Sequence, residues 1–310
     1  MVRRVVLVGT RSSALAQVQT DLIVAALLQV DPDLQIVRVI ISTNGDRTQY
    51  SNAPGPDWGT GVFVKEIEAA LLGDEIDLAV HSLKDVPPIV TAELTLAAIP
   101  VRDDPRDVLV TADGRYLEAL APGARVGTSS ARRVAFLLEQ RPDLQFVPIR
   151  GNVESRLRKL REGQYDALVL ARAGLRRLQI KVPHVVLEPD LLPPAPGQGA
   201  LAVQARAGDR HILSLVEPLH DPATAAAVRA ERRLMLLLDG GCRLPVGALG
   251  TPRTDGGLDL IGGLATDAGG VAIDRAHGLL TTPEVLAEEL ASVLRARRAD
   301  VTPGVLEVAV

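Results

Sequence analysis

The chain repeats itself, and a repeat limits the possible folds before any residue chemistry is considered. Val8-Gly9-Thr10-Arg11-Ser12-Ser13-Ala14 returns as Val126-Gly127-Thr128-Ser129-Ser130-Ala131. Pro32-Asp33-Leu34-Gln35 returns as Pro142-Asp143-Leu144-Gln145, each time before a strand-like run. Ile76-Asp77-Leu78-Ala79-Val80 has its counterpart in Tyr165-Asp166-Ala167-Leu168-Val169. Each echo is short, but three in the same order imply two similar lobes. In the first lobe, strand-like runs at Val5–Val8, Ile36–Ile41, Asp77–Val80 and Leu94–Ile99 alternate with helical spacing after Val8 and over Val62–Leu72. That alternation predicts α/β units around a mostly parallel sheet.

Proline-rich stretches at Pro100–Asp107 and Leu191–Gly199 mark two crossings, and Ala200–Gln204 reads as a further strand. Two crossings insert the second lobe into the first and predict a cleft, a favoured ligand site. From about residue 220 the character changes. A helix is expected over Ala223–Leu238, and short strands over Val246–Leu249, Leu258–Leu264 and Gly270–Ile273. A last helix covers Pro283–Arg298, with Pro283 suited to a first turn. The expected divisions are residues 1–102 with 196–219, then 103–195, then a small antiparallel strand-and-helix domain over 220–310. Ser42–Thr60 has no periodicity, which suits either a lid over the cleft or a loose excursion.

Composition removes several classes. The 310 residues allow two domains, or three small ones. With 47% hydrophobic and 23% charged residues, disorder is excluded as the main state. No apolar run approaches the roughly 18 residues of a membrane span. Val5–Val8 is too short for a signal-peptide core, so a cytoplasmic protein with no membrane partner is expected. The single cysteine, Cys242, excludes a disulfide framework and a cysteine-rich zinc site, and no metal is expected.

Charge is unevenly spread. The formal net charge is −4. Between Arg125 and Arg177, eleven arginines and one lysine face five acids, a local excess of +7 that leaves −11 elsewhere. Arginine outnumbers lysine 30 to 4, a bias that genome composition, heat adaptation or carboxylate and phosphate binding would each produce. Charge alone also allows a solvated helix face. Placement favours a site. Arg132 and Arg133 follow a strand-to-helix turn capped by hydroxyls, Arg150 precedes Gly151-Asn152, and Arg156 lies one turn into the next helix. Arg172, Arg176 and Arg177 follow a third strand. All sit where open α/β sheets bind ligands, with helix N-termini adding donors for anions. Arg11-Ser12-Ser13 does the same in the first lobe. The cleft is expected to bind a polyanion. Nucleic acid is disfavoured by 2% aromatics and a net acidic chain. Phosphate is disfavoured by the lack of a glycine-rich phosphate loop. Carboxylates match guanidinium forks.

Two further residues carry chemistry. Asp85 ends His81-Ser82-Leu83-Lys84-Asp85. Among cations it would stay ionised, and would stabilise a cation or move protons; a salt-bridged Asp opening a helix is the plainer alternative. Cys242 follows Gly240-Gly241 and precedes Arg243. It is either a small packed residue or, with its thiolate favoured by the neighbouring cation, an attachment point.

Together these stretches resemble the porphobilinogen deaminase (hydroxymethylbilane synthase) family. The residues that carry the resemblance are Gly9–Ala16, His81–Asp85, Arg102–Asp107, Gly127–Arg133, Arg150–Val153, Pro196–Ala200 and Gly240–Cys242, in order from about residue 5 to 250. The last 60 residues match only in general character. The resemblance implies two type II periplasmic-binding-protein-like lobes with a double crossover, plus a small α+β C-terminal domain. It implies a transferase of tetrapyrrole and heme biosynthesis that condenses four porphobilinogen molecules head to tail with loss of ammonia, then releases hydroxymethylbilane. It implies a dipyrromethane cofactor, built from two substrate molecules and thioether-linked at Cys242. Asp85 takes the position that stabilises the pyrrole nitrogen and the azafulvene-like cation formed as ammonia leaves. Arg11, Arg150 and Arg156 fall on positions tied to substrate carboxylates and catalysis. Ser13, Lys84, Thr128, Ser130, Arg132, Arg133 and Arg177 fall on cofactor or growing-chain positions, and Phe63, Asn152 and Gln198 on substrate or lid positions. A monomer is implied. One departure stands out: Gly59-Thr60-Gly61, beside Trp58, occupies the place of a Gly-Lys-Gly lid sequence. The rival class, a two-lobed carboxylate-binding protein without chemistry, gives Asp85 and Cys242 no task.

Overall fold

The computed structural model describes residues 5–43, 64–238, 245–266 and 270–300. The chain divides into two compact units. One comprises residues 1–103, 176–180 and 199–225, the other residues 104–175, 181–198 and 226–310.

The first unit is built on strands β1 (Val5–Arg11), β2 (Gln35–Ile41), β3 (Leu78–Ser82), β4 (Leu94–Ala98) and β10 (Leu201–Arg206), in the order β2-β1-β3-β10-β4. β1 is parallel to β2 and β3, and β10 runs antiparallel to β3 and β4. Alternation along each strand sends side chains to opposite faces. Val6, Val8, Leu78 and Val80 meet Ile23 and Leu27 of helix α1 (Ala14–Val30) and Ile212 of helix α6 (Arg210–Val216). On the other face Leu7 and Ala79 meet Ile67 and Leu71 of helix α2 (Lys65–Leu72). α1 starts where Ser13 accepts a hydrogen bond from the Ala16 amide at 3.3 Å, a conventional N-cap.

The second unit repeats the plan. Strands β5 (Asp107–Val110), β6 (Arg125–Gly127), β7 (Gln145–Val147), β8 (Ala167–Ala171) and β9 (His184–Leu187) lie in the order β7-β6-β8-β5-β9. Helices α3 (Ala131–Gln140), α4 (Val153–Arg161) and α5 (Arg172–Arg177) follow β6, β7 and β8. In each sheet the fourth position is an antiparallel strand delivered by a crossing: β10 in the first, β5 in the second. This is the sheet order of a type II periplasmic-binding-protein lobe, built twice. Four strands of each sheet share one direction, as the mostly parallel reading expects, and the one exception is the strand arriving from a crossing, which runs against its neighbours. β5 escapes sequence detection because Asp107–Val110 is buried at every position and shows no alternation.

The second unit also holds a three-stranded antiparallel sheet, β11 (Val246–Pro252), β12 (Gly257–Ala265) and β13 (Val271–Leu279). Helices α7 (Pro222–Leu238) and α8 (Pro283–Asp300) cover it through Leu234, Leu290 and Leu294 against Leu258, Leu260 and Leu264. This sheet and the five-stranded one share packing. Val271 and Ile273 join the core around Phe136 and Leu137, and a Cβ on Gly263 would strike the Phe136 ring. Glu231 of α7 is fully buried, accepting from the amides of Gly197 at 2.7 Å and Gly250 at 2.8 Å. No helix among the described residues is long and apolar enough to cross a membrane.

Candidate active site

The structure distributes the expected site residues between the two units. In the first, β1 delivers Arg11 and the turn behind it delivers Ser13. β3 runs into a single 3-10 turn, Leu83–Asp85. Two ties fix that turn. The Leu83 amide donates to the Ala200 carbonyl at 3.0 Å, and the Ser82 hydroxyl pairs with the Gln19 side-chain amide of α1 at 2.8 Å. Asp85 is half-buried and Lys84 exposed. The parallel β1–β3 register carries Arg11 level with the end of β3. His81 there is buried, and its pKa is pushed down to about 4. Burial is the main cause; the neighbouring Gln204 side chain opposes it, and the Arg11 charge adds to it. The ring is therefore neutral at pH 7.

Arg177 belongs to this unit too. Its Nη2 donates to the Gly199 carbonyl at 2.6 Å, and its Nε lies 3.8 Å from Asp103, which also pairs with Arg176 at 3.0 Å. Burial lowers the Arg177 pKa against the pull of Asp103. Its guanidinium thus fastens the crossing.

In the second unit the N-caps lie where the sequence places them. Ser130 accepts from the Arg133 amide at 3.4 Å and caps α3. Thr128, buried, accepts from the Ser130 amide at 3.2 Å. Asn152 accepts from the Ser155 amide at 2.8 Å and caps α4. Gly151 holds φ +109°, and a Cβ there would overlap the Ser155 hydroxyl, so only glycine makes this turn without strain. Arg156 donates from Nε to the Gly151 carbonyl at 2.8 Å. Its pKa is pushed down to about 10, first by burial and then by repulsion from Arg133. It remains a cation at pH 7, one already stripped of much of its water. Arg150 is half-buried ahead of the turn.

Arg132 and Arg133 need a revised account. They are not presented to solvent as free forks: both are buried and converge on Asp107 at 2.6 Å each. Gln198, also buried, donates to the Pro105 carbonyl at 2.7 Å and to Asp107 at 3.0 Å. The charge count over 125–177 missed this because the compensating acids lie just upstream. Asp104 pairs with Arg106 at 2.8 Å and with Arg172 at 2.5 Å. The signal was legible in Arg102-Asp103-Asp104-Pro105-Arg106-Asp107, where charges of both signs alternate before a buried strand. Gln19 carried no signal at all. Cys242, Phe63, Trp58 and Thr60 lie outside the described residues, as does the lid reading beyond Thr43.

The donor set suits a group bearing several carboxylates. The second unit concentrates desolvated guanidiniums, and two helix N-termini with polar caps stand beside them. Among the described residues no cluster of His, Cys, Asp and Glu could hold a metal ion.

Comparison with known proteins agrees over nearly the whole chain. Residues 6–214 match the family model for the porphobilinogen deaminase dipyromethane cofactor binding domain, and residues 225–296 match the porphobilinogen deaminase C-terminal domain. The second match carries the likeness beyond residue 250, where the sequence motifs end. A porphobilinogen deaminase of Roseiflexus castenholzii is 52% identical over 78% of this chain and 80% of its own length. One of Syntrophotalea carbinolica is 46% identical over 97% of this chain and 96% of its own. Among solved structures, the Bordetella pertussis BvgS VFT2 domain is 20% identical with a TM-score of 0.41, over 69% of this chain and 85% of that one.

Proposed function

The chain belongs to the porphobilinogen deaminase family, and from that premise we propose how its own residues divide the work. The activity is that of a hydroxymethylbilane synthase, a transferase of heme biosynthesis. Four porphobilinogen molecules are joined head to tail, each losing ammonia, into a linear tetrapyrrole.

The dipyrromethane cofactor supplies, when bound, the pyrrole position onto which the first substrate is joined. Cys242 is the residue proposed to hold it, being the one thiol in the chain and flanked by Arg243. Arg132, Arg133 and Arg177, with Ser13, Lys84, Thr128 and Ser130, are proposed to receive the acetate and propionate groups of the cofactor and growing chain. Arg11, Arg150 and Arg156 are proposed to hold the incoming substrate, aided by Asn152, Gln198 and Phe63. Arg156 carries the strongest support. Its guanidinium is already desolvated beside another arginine, so an arriving carboxylate relieves repulsion and meets a partner that has little water left to lose.

Asp85 is proposed to act on the reacting ring. As ammonia departs from the aminomethyl carbon, positive charge spreads onto the pyrrole nitrogen. A carboxylate accepting that N–H stabilises the developing cation more than the neutral ring, and differential stabilisation is what raises a rate. The fixed 3-10 turn, tied to Ala200 and anchored by Gln19, holds the carboxylate in place. A cytoplasmic monomer completes this reading, supported by a single cysteine that requires no oxidising compartment.

Intact mass spectrometry tests the assignment. The wild-type protein should weigh more than its sequence by two pyrrole units, and Cys242→Ser should lose that excess. Asp85→Asn should keep fold and excess mass while turnover falls by about 100-fold or more. An active protein of bare sequence mass, or near-normal turnover in Asp85→Asn, refutes the corresponding role.

A further inference from the structure

Asp107 is a carboxylate buried within the arginine cluster of the second unit, and the chemistry above gives it no task. It opens β5 with no exposed surface. Its Oδ2 accepts from Arg132 Nη2 at 2.6 Å. Its Oδ1 accepts from Arg133 Nη2 at 2.6 Å and Nε at 3.2 Å, and from Gln198 Nε2 at 3.0 Å. The far end of each guanidinium is also held: Arg132 Nη1 donates to the Pro193 carbonyl at 2.6 Å, and Arg133 Nη1 to the Val169 carbonyl at 2.7 Å.

We infer that Asp107 is a positioning residue, which fixes the Arg132 and Arg133 guanidiniums so that their remaining N–H donors meet carboxylates in one geometry. The inference rests on the reading of those arginines as cofactor and chain ligands. A guanidinium is flat and rigid, and two anchors in its plane leave it no free rotation. Each has five N–H donors, and bonds to described residues use two on Arg132 and three on Arg133. The rest stay available in directions set by Asp107. The rotamer freedom of two long side chains is thus lost on folding instead of on binding. One carboxylate between two guanidiniums also lets both stay charged side by side while the cluster as a whole remains cationic. Burial works to raise the Asp107 pKa, but the two arginine charges and their hydrogen bonds outweigh it and hold the carboxyl below its ordinary range. Asp107 is therefore ionised at pH 7.

A purely structural ion pair would show itself only in stability, so the test separates the two. Asp107→Asn, Asp107→Glu, Arg133→Leu and a control, Leu260→Ala in the core of the third sheet, are purified with whatever cofactor they carry. Thermal melts establish that each is folded, and intact mass gives the fraction bearing two extra pyrrole units. KM and kcat follow per loaded molecule. In Asp107→Asn, loading should fall about tenfold or KM rise about tenfold. Asp107→Glu keeps the charge but moves it by one methylene, and should show the same defect in milder form. Leu260→Ala, though it melts lower, should load like wild type. Normal loading and KM in Asp107→Asn overturn the inference. Should that variant not fold, the same result in Asp107→Glu overturns it, as does a loading loss in Leu260→Ala equal to that of the Asp107 variants. If Arg133→Leu empties while both Asp107 variants load and bind normally, only the positioning role fails. If Arg133→Leu itself loads and binds normally, the ligand reading of the arginine fails first.

Discussion

His81 shows how one side chain ties stability to acidity. Its ring is neutral and buried in the native state, with its pKa near 4, whereas an unfolded histidine takes up a proton near 6.5. Between those values the unfolded chain binds more protons, so stability falls as pH drops from about 6.5 towards 4. The full effect amounts to about 3 kcal/mol at most. Between pH 7 and pH 5, wild type should lose about 2 kcal/mol more than His81→Gln, read from denaturant midpoints at the two values. Parallel losses in both proteins would show that the ring does not resist protonation. The motif His81–Asp85 was legible as the end of a strand. The burial of His81 was not, because strand residues alternate faces and only the partner strands decide which face is covered. Gln204, its neighbour, comes from β10, more than a hundred residues along the chain.

At the scale of elements, the caps were the best-read features. Ser13, Ser130 and Asn152 each precede a helix, and each accepts from an amide three residues on. Capping is local, so sequence suffices to show it. The Gly151–Asn152 turn does more than start α4. It presents the Gly151 carbonyl to Arg156 and aims the helix N-terminus. Gly151→Ala should therefore cost about 1–3 kcal/mol, through strain at positive φ and overlap with Ser155, and should raise KM by loosening Arg156. A melt and a KM within error of wild type would contradict that. The ion pairs were the poorest-read features. Arg132 and Arg133 lie 25 and 26 residues from Asp107, and Arg172 lies 68 from Asp104. Counting charge inside a window assumes that charges are balanced nearby, and here the balancing acids lie on the crossing.

For the whole molecule, the internal echoes and the two proline-rich crossings were enough to foresee an inserted second lobe. What they could not show is that the strand entering after each crossing runs antiparallel, because a strand has the same letters whichever way it runs. Nor could they show the shared core of the second unit, where Phe136 meets the backbone at Gly263 and Val271 and Ile273 join it. Hydrogen exchange should accordingly find β6, β8 and β12 opening with one common free energy; a third sheet that opens far more easily would show that the packing is not cooperative. The order of strands also bears on how the protein is made. The second sheet is one uninterrupted stretch, from β5 at 107 to β9 at 187. The first is not: β3 and β4 join only through β10, which begins at residue 201. A ribosome working from the N-terminus therefore finishes the middle of the protein before the beginning. While residues 99–200 emerge, β3 and β4 hold open edges of the kind that pair with the wrong neighbour. Chaperone capture of the nascent chain is expected to be greatest during that interval and to end once β10 clears the exit tunnel.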